Sequence, residues 1–342
     1  MAILQSSRNY FLKAMKSSVK MPLLAVGIPT YRRPERAISL IRHLLKLEIY
    51  DQIIVASNSY EAVLAEYLKP LSNDNKVTFL QQSTNQGIAG NYASIVKLCC
   101  CKYLHIISDE DSIYPQAARK LYGWLGRPEQ PALVVVTVND QHNNPYKNAF
   151  NKKNRFLTDP LGDTAHIGSC VFEVGSWKPQ TFQALEEYCY RDGAAYPTTA
   201  SALLSYSHSG GLAYFGEPVV KMGEVDVISD VKGHRSYGML PKLNQFLSIL
   251  ELLGTLKFKS KLRNEISIYY YFSHHGLQDS YRKFAENIFA AISALSESRG
   301  LSKSERMRLL LLVSWYFYFK LYYRCKTSVG RILSVLGKRT KE

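Results

Sequence analysis

Acidic residues are scarce in this chain of 342 residues, with 28 Asp and Glu against 43 Lys and Arg and a formal net charge of +15. Such an excess suits an anionic partner or substrate: nucleic acid, a membrane surface or a phosphorylated compound. Cysteine is sparse too, and the six present form no C-x-x-C pair, so no zinc-binding spacing is offered. Cys99, Cys100 and Cys101 are consecutive in a helix-like stretch and cannot all pair locally; the cysteines are read as reduced, mostly buried thiols of a cytosolic protein. There is no internal repeat and no low-complexity segment. Residues 1–20 contain no acid and no apolar core of the kind a signal peptide needs. They carry Arg8, Lys13, Lys16 and Lys20 ahead of Met21, and read either as a short basic arm or as an extension before a second start. Near the other end, "LLLLVSWYFYF" (309–319) is apolar for only eleven residues before Lys320, whereas a spanning helix needs about 20.

A hydrophobic content of 46% with 12% aromatics excludes a mostly disordered chain, and the length predicts one large domain or one domain with a helical appendage. "LLAVGI" (23–28) reads as a strand ended by Pro29, and from Glu35 the residues Ile38, Ile41, Leu44 and Leu45 recur at helical spacing. "QIIVAS" (52–57) repeats the strand signal, 61–68 reads as a helix and "VTFLQQ" (77–82) as a third strand. After "STNQGIAGN" a helix runs to about Cys101, and a short buried strand follows at 104–107. Strands alternating with helices imply right-handed βαβ units and a mostly parallel sheet over roughly the first 125 residues. Beyond that, 132–138 and 165–174 read as strands, 139–155 as a polar loop, and the sequence from about Pro241 as helical and aromatic. The expected organisation is a basic arm (1–20), an α/β domain (21–240, divided at about 125) and a helical, basic C-terminal region (241–342).

The strand at 104–107 runs into Asp109, Glu110 and Asp111. In an open α/β sheet ligands bind outside the carboxyl ends of the strands. Adjacent carboxylates repel, so a cluster placed there calls for a shared cation, and Mg²⁺ or Mn²⁺ takes hard oxygen ligands together with substrate phosphates. An acidic turn capping the next helix is the plainer alternative.

Three segments in register decide between these: "VGIPTYRRPERA", "NQGIAGNYASIVKL" and "IISDEDS". In this order and spacing the chain resembles family 2 glycosyltransferases of the GT-A fold, nearest to the abequosyltransferase-like branch that builds bacterial surface polysaccharides. "HIGSCVFEVGSWK", an Ile-Gly-x-x-x-Phe segment with a Trp after it, is similar to that branch, and the resemblance spans about residues 22–230. It implies a Rossmann-like central sheet flanked by helices, with a helical C-terminal extension, and an inverting, metal-dependent transfer from a nucleoside-diphosphate sugar to a glycan or lipid-linked acceptor.

The same resemblance implies roles for individual residues. Pro29, Thr30 and Tyr31 would lie against the nucleotide base, and Arg33 against the diphosphate or its loop. The second strand ends in relatives with an Asp that pairs with the base; Ser57 or Asn58 stands there instead, which presents a different donor and acceptor pattern. Gly87 and Asn91 would border the nucleotide. Asp109 is assigned to ribose or metal, Asp111 to metal, and Glu110 to the core or the sugar. A base for the acceptor hydroxyl is expected at Asp192, with Glu187 in reserve, and His234 or Arg235 would close on the diphosphate. His166 is read as a core histidine.

From Arg299 onward eleven Lys and Arg stand against Glu305 and Glu342, leaving +9 of the chain's +15. With Trp and Tyr interleaved, this tail is expected to lie on the inner face of the membrane, placing the protein in the cytoplasm as a peripheral membrane protein. A basic nucleic-acid-binding protein would instead spread Lys and Arg with exposed aromatics over its globular part, and an inactive relative that binds nucleotide or glycan is the remaining alternative.

Overall fold

The computed structural model describes residues 21–224 except 75, 141, 144–163, 165, 192, 193, 195 and 210, together with the single positions 252, 303 and 307. The chain divides into two compact units, Met1–Ser236 and Tyr237–Glu342, and the sheet described here belongs to the first. Its strands are β1 (Leu24–Thr30), β2 (Gln52–Ser57), β3 (Val77–Gln81), β4 (Tyr103–Ile106), β5 (Ser112–Ile113), β6 (Leu133–Asn139), β7 (Cys170–Glu173) and β8 (Leu212–Lys221). The helices are α1 (Pro34–Leu47), α2 (Ala62–Leu68), α3 (Gly87–Leu98), α4 (Pro115–Leu125), α5 (Pro179–Cys189) and α6 (Pro197–Ser209).

The spatial order is β3-β2-β1-β4-β7-β6-β8-β5. The first four strands are parallel, and β7 then joins antiparallel to both β4 and β6. β1, β2 and β6 are buried along their whole length, as strands covered by helices on both faces must be. Alternation along β1 sorts its side chains: Leu24, Val26 and Ile28 join a core with Ile38, Ile41 and Leu44 of α1 and Leu121 and Leu125 of α4. Helix α1 starts because Pro34 stands at its first position, where a missing N–H costs nothing.

The order matters for function. The chain leaves β1 toward β2 and β3 on one side, then returns to place β4 on the other side of β1. The loops after β1 and β4 therefore diverge and leave a crevice between them, the place where open α/β sheets bind ligands.

Three details differ from the sequence-based expectation. The triple cysteine follows α3 rather than sitting inside it: Cys99 caps the helix with extended backbone, and Gln52 accepts the Cys100 N–H while its amide donates to the Leu98 carbonyl. The strand expected at 165–174 is confined to its second half, with a turn over 166–169 ahead of it. The third difference is β5, whose two residues pair antiparallel with the end of β8. A register shift between Val136 and Val138 lies along the β6–β8 pairing, which runs on to Lys221 while β5 takes the other edge of β8, and the residues after β8 reach the acidic loop.

Candidate active site

Thr30 ends β1 and Asp109 follows β4, and the crevice brings them together. The Thr30 hydroxyl donates to Asp109 Oδ2 at 2.6 Å across the two strand ends. Between β1 and α1 the backbone turns at Arg32, whose φ of 56° lies in the left-handed region, a conformation costing a non-glycine residue about 1 kcal/mol. The Arg32 guanidinium lies over the Tyr31 ring, 5.1 Å from its centroid. The turn aims Arg33 back over the acids, where Nη1 donates to Asp109 Oδ1 at 3.2 Å and to Glu110 Oε2 at 2.6 Å. Arg36, one turn into α1, stands 3.9 Å from the same Glu110 oxygen. Glu110 thus faces the start of α1. Burial works against the Arg33 charge, but Asp109 and Glu110 more than offset it and hold its pKa above the ordinary value.

Asp111 is held differently. Its Oδ1 accepts the Gly223 N–H at 3.2 Å and its Oδ2 the Ser108 N–H at 3.4 Å, while His166 Nε2 lies 3.7 Å from Oδ2. No Lys or Arg among the described residues forms an ion pair with it. Burial, opposed by the two N–H donors and reinforced by Glu110 and Asp109, pushes the Asp111 carboxyl up to about 7. Asp109 and Glu110 are also raised, by burial first and against the pull of Thr30 and Arg33. Three carboxylates therefore share the charge of Arg33 and part of that of Arg36, and the shortfall falls on Asp111. A cavity of about 470 Å³ opens beside them, lined by Arg36, Ser39, His43, Glu110, Asp111 and Glu224 among others.

Gly223 is the contact that sequence patterning gave no reason to single out. A Cβ built on it would overlap the carbonyl oxygen of Glu110, so only glycine lets the strand crossing from β8 lie on the acidic loop. Met222 N–H bonds to the Asn139 carbonyl at 2.8 Å and Arg36 Nη1 donates to the Glu224 carbonyl at 2.9 Å, fixing the crossing on both sides.

The remaining predicted residues divide into rim and brace. Ser57 is fully buried and its hydroxyl donates to the Ser59 carbonyl within its own turn. Asn58 clasps the start of α3: its amide donates to the Gly87 carbonyl at 2.8 Å and its Oδ1 accepts the Gln86 N–H at 3.2 Å. Gly87, at a φ of 69°, makes the turn that clasp requires. Asn91 is 1% exposed and sits beneath the crevice, donating to the carbonyls of Ala56 at 2.7 Å and Thr30 at 3.4 Å, so it ties the ends of β1 and β2 to α3. Pro29 is buried in β1 and Tyr31 is half-buried at the mouth. Glu187 is exposed on α5 and accepts from Gln183 at 2.8 Å. Asp192, His234 and Arg235 lie outside the described residues, as does the basic tail from Arg299 apart from Lys303 and Met307.

Among the described residues no three Asp, Glu, His or Cys side chains converge as a preformed metal cage. The donor chemistry nonetheless fits a divalent cation: Asp109 and Asp111 offer hard carboxylate oxygens at the strand end, and Asp111 carries a buried charge that no described Lys or Arg balances.

The family model described as Glycosyl transferase family 2 matches residues 25–189. The structure of residues 1–349 of TarS from S. aureus superposes with a TM-score of 0.58 at 11% identity, over 89% of this chain and 92% of that one. The same fragment in complex with UDP gives 0.56 at 11% identity, over 89% and 92%, and a longer TarS structure 0.57 at 10% identity, over 83% and 50%. No curated protein matches the chain by sequence. The fold is the GT-A fold.

Proposed function

We propose that this protein is an inverting, metal-dependent glycosyltransferase. It moves a hexosyl or deoxyhexosyl group from a nucleoside-diphosphate sugar to a glycan or lipid-linked glycan acceptor in cell-surface polysaccharide synthesis. The observation that carries this reading is the Thr30–Asp109 hydrogen bond at the switch point, with buried Asp111 two residues on. The family match over residues 25–189 and the UDP complex of a protein sharing the fold support a nucleotide-sugar donor.

Asp109 and Asp111 would hold Mn²⁺ or Mg²⁺, which when bound supplies stabilisation for the charge building on the departing diphosphate. Thr30 and Arg33 orient Asp109, and Gly223 and Ser108 orient Asp111, so both carboxylates are set before the donor arrives. Tyr31, at the mouth, offers a ring face to the base; Ser57, Asn58 and Gly87 border it, and Asn91 braces the floor. Asp192, ahead of α6, takes the proton of the acceptor hydroxyl, with Glu187 the reserve. His234 or Arg235 closes on the diphosphate.

The decisive experiment is a panel of nucleotide sugars with and without Mn²⁺, read by thermal unfolding and by release of nucleoside diphosphate. One donor is expected to raise Tm only with the cation present, and to be turned over when an acceptor is added. Protection without turnover for any acceptor tried would mark an inactive relative, and protection by none of the donors would overturn the reading.

We further propose that the C-terminal region from about Pro241 brings this site to the cytoplasmic face of the membrane. Among the described residues no helix is long and apolar enough to cross a bilayer, and the support for surface binding is the charge of the tail, worth about 1 kcal/mol per Lys or Arg near an anionic leaflet. Full-length protein should float with anionic vesicles at low salt and less at high salt, whereas a chain ending near Arg299 should stay behind. Equal flotation of the two would place the attachment elsewhere.

A further inference from the structure

The sequence reads His166 as a core histidine, and the structure gives it a more specific place. It precedes β7 in a tight turn, with its Nδ1 accepting the Gly168 N–H at 3.1 Å. The carbonyl of that same Gly168 lies 2.9 Å from Nε2 of His105, a fully buried residue of β4. An imidazole nitrogen that accepts a backbone N–H carries its lone pair there, so the ring proton of a neutral His166 sits on Nε2. Nε2 is the atom that faces Asp111 Oδ2 at 3.7 Å. Thr164, two residues earlier, is anchored by a 2.9 Å hydroxyl contact to Thr199 of α6, so the turn is tied at both ends.

We propose that His166 is a positioning residue for Asp111. It acts as a neutral N–H donor whose tautomer is fixed by the Gly168 N–H, and it turns the carboxylate toward the cation rather than binding the cation itself. Ligation through Nε2 would require the lone pair on that atom and a proton on Nδ1, which already faces an N–H. A ring nitrogen that accepts a backbone N–H bears no proton, so the Gly168 contact itself makes His166 neutral. The 3.7 Å separation exceeds a hydrogen bond; contacts of this kind tighten when the ligands of a site are in place.

This inference rests on the proposal that Asp111 holds a divalent cation, and the test separates the two. In full-length protein, Mn²⁺ affinity is measured by calorimetry for wild type, His166→Ala and His166→Gln, the glutamine amide standing in for the Nε2–H. His166→Ala should weaken Mn²⁺ binding about tenfold to a hundredfold, the usual effect of losing a partner behind a metal ligand, and His166→Gln should recover most of it. Glutamine as damaging as alanine would make the imidazole a ligand, and wild-type affinity in both variants would leave it no role; either overturns the proposal. Nitrogen NMR of ¹⁵N-histidine-labelled wild type supplies a metal-free readout. A protonated Nε2 with a bare Nδ1 at His166, perturbed by Asp111→Asn, supports the pairing even if wild type binds no Mn²⁺, in which case the cation reading alone falls. The opposite tautomer overturns the His166 assignment directly.

Discussion

Replacing Asp111 by Asn should abolish most sugar transfer, by a factor on the order of 10² or more, while leaving the fold intact and changing how its stability depends on pH. The first part follows from losing an anionic oxygen where a cation would sit. The second follows from the buried charge. The Asp111 carboxyl has an ordinary value of 3.8 and is held up to about 7 in the folded chain. Between roughly pH 4 and 7 the folded state therefore binds the proton that the unfolded state has released, and this group's contribution to stability falls as pH rises through that window. Above pH 7 the full penalty is present, on the order of 4 kcal/mol for a side chain this buried. His105 and His166, lowered to about 4, act in the opposite sense, since acidification below about 6.5 charges them in the unfolded chain first. Wild type alone would show only the sum.

The difference in Tm between Asp111→Asn and wild type isolates the carboxylate. It should be small near pH 5 and increasingly positive toward pH 8, less about 1 kcal/mol because asparagine keeps only one acceptor for two N–H donors. Mn²⁺ should raise the wild-type Tm at pH 8 and leave the variant unmoved. Wild-type rates in the variant at saturating Mn²⁺ would remove Asp111 from the site, and a Tm difference that does not change with pH would show that its charge is not buried as described.

Gly223→Ala should also impair transfer, about tenfold to a hundredfold, through the backbone. The added Cβ meets the Glu110 carbonyl oxygen, and no rotamer change can relieve an overlap with a main-chain atom. Either the acidic loop or residues 222–224 must shift, and each carries half of the Asp111 arrangement. Overpacking of this kind costs about 1–3 kcal/mol, so a lower Tm should accompany the lost activity. Gly123→Ala is the matched control: its Cβ points into open space on α4, and alanine in a helix interior is favoured by about 0.5–1 kcal/mol. Equal behaviour of the two variants in rate and Tm would mean that the crossing over the acidic loop is not tight.

The parallel half of the sheet was legible because each of its elements announces itself locally. A buried strand between helices is a short run of branched residues, and α1 repeats its apolar positions with the helical period from Pro34 to Leu47. The acids were legible as a candidate site for a related reason: three like charges after β4 conflict with local stability, and such conflicts point to function. β5 was not legible, because two residues carry no periodicity and their pairing is decided by where β8 ends.

The sequence by itself determined that Asp109, Glu110 and Asp111 follow a buried strand of a βαβ sheet, since element type and loop position follow from alternating periodicities. Only the tertiary structure decided how they differ. Glu110 turns to Arg33 and Arg36, Asp109 to Thr30 and Arg33, and Asp111 to the backbone of Gly223 and toward the imidazole of His166. These partners come from 76 or 77 residues upstream in the case of Arg33 and 112 residues downstream in that of Gly223. Local propensity carries no information over such separations, because they are fixed by which loops the packed sheet brings to one edge, and that is why His166 read as a core residue until β7 placed its turn beside β4.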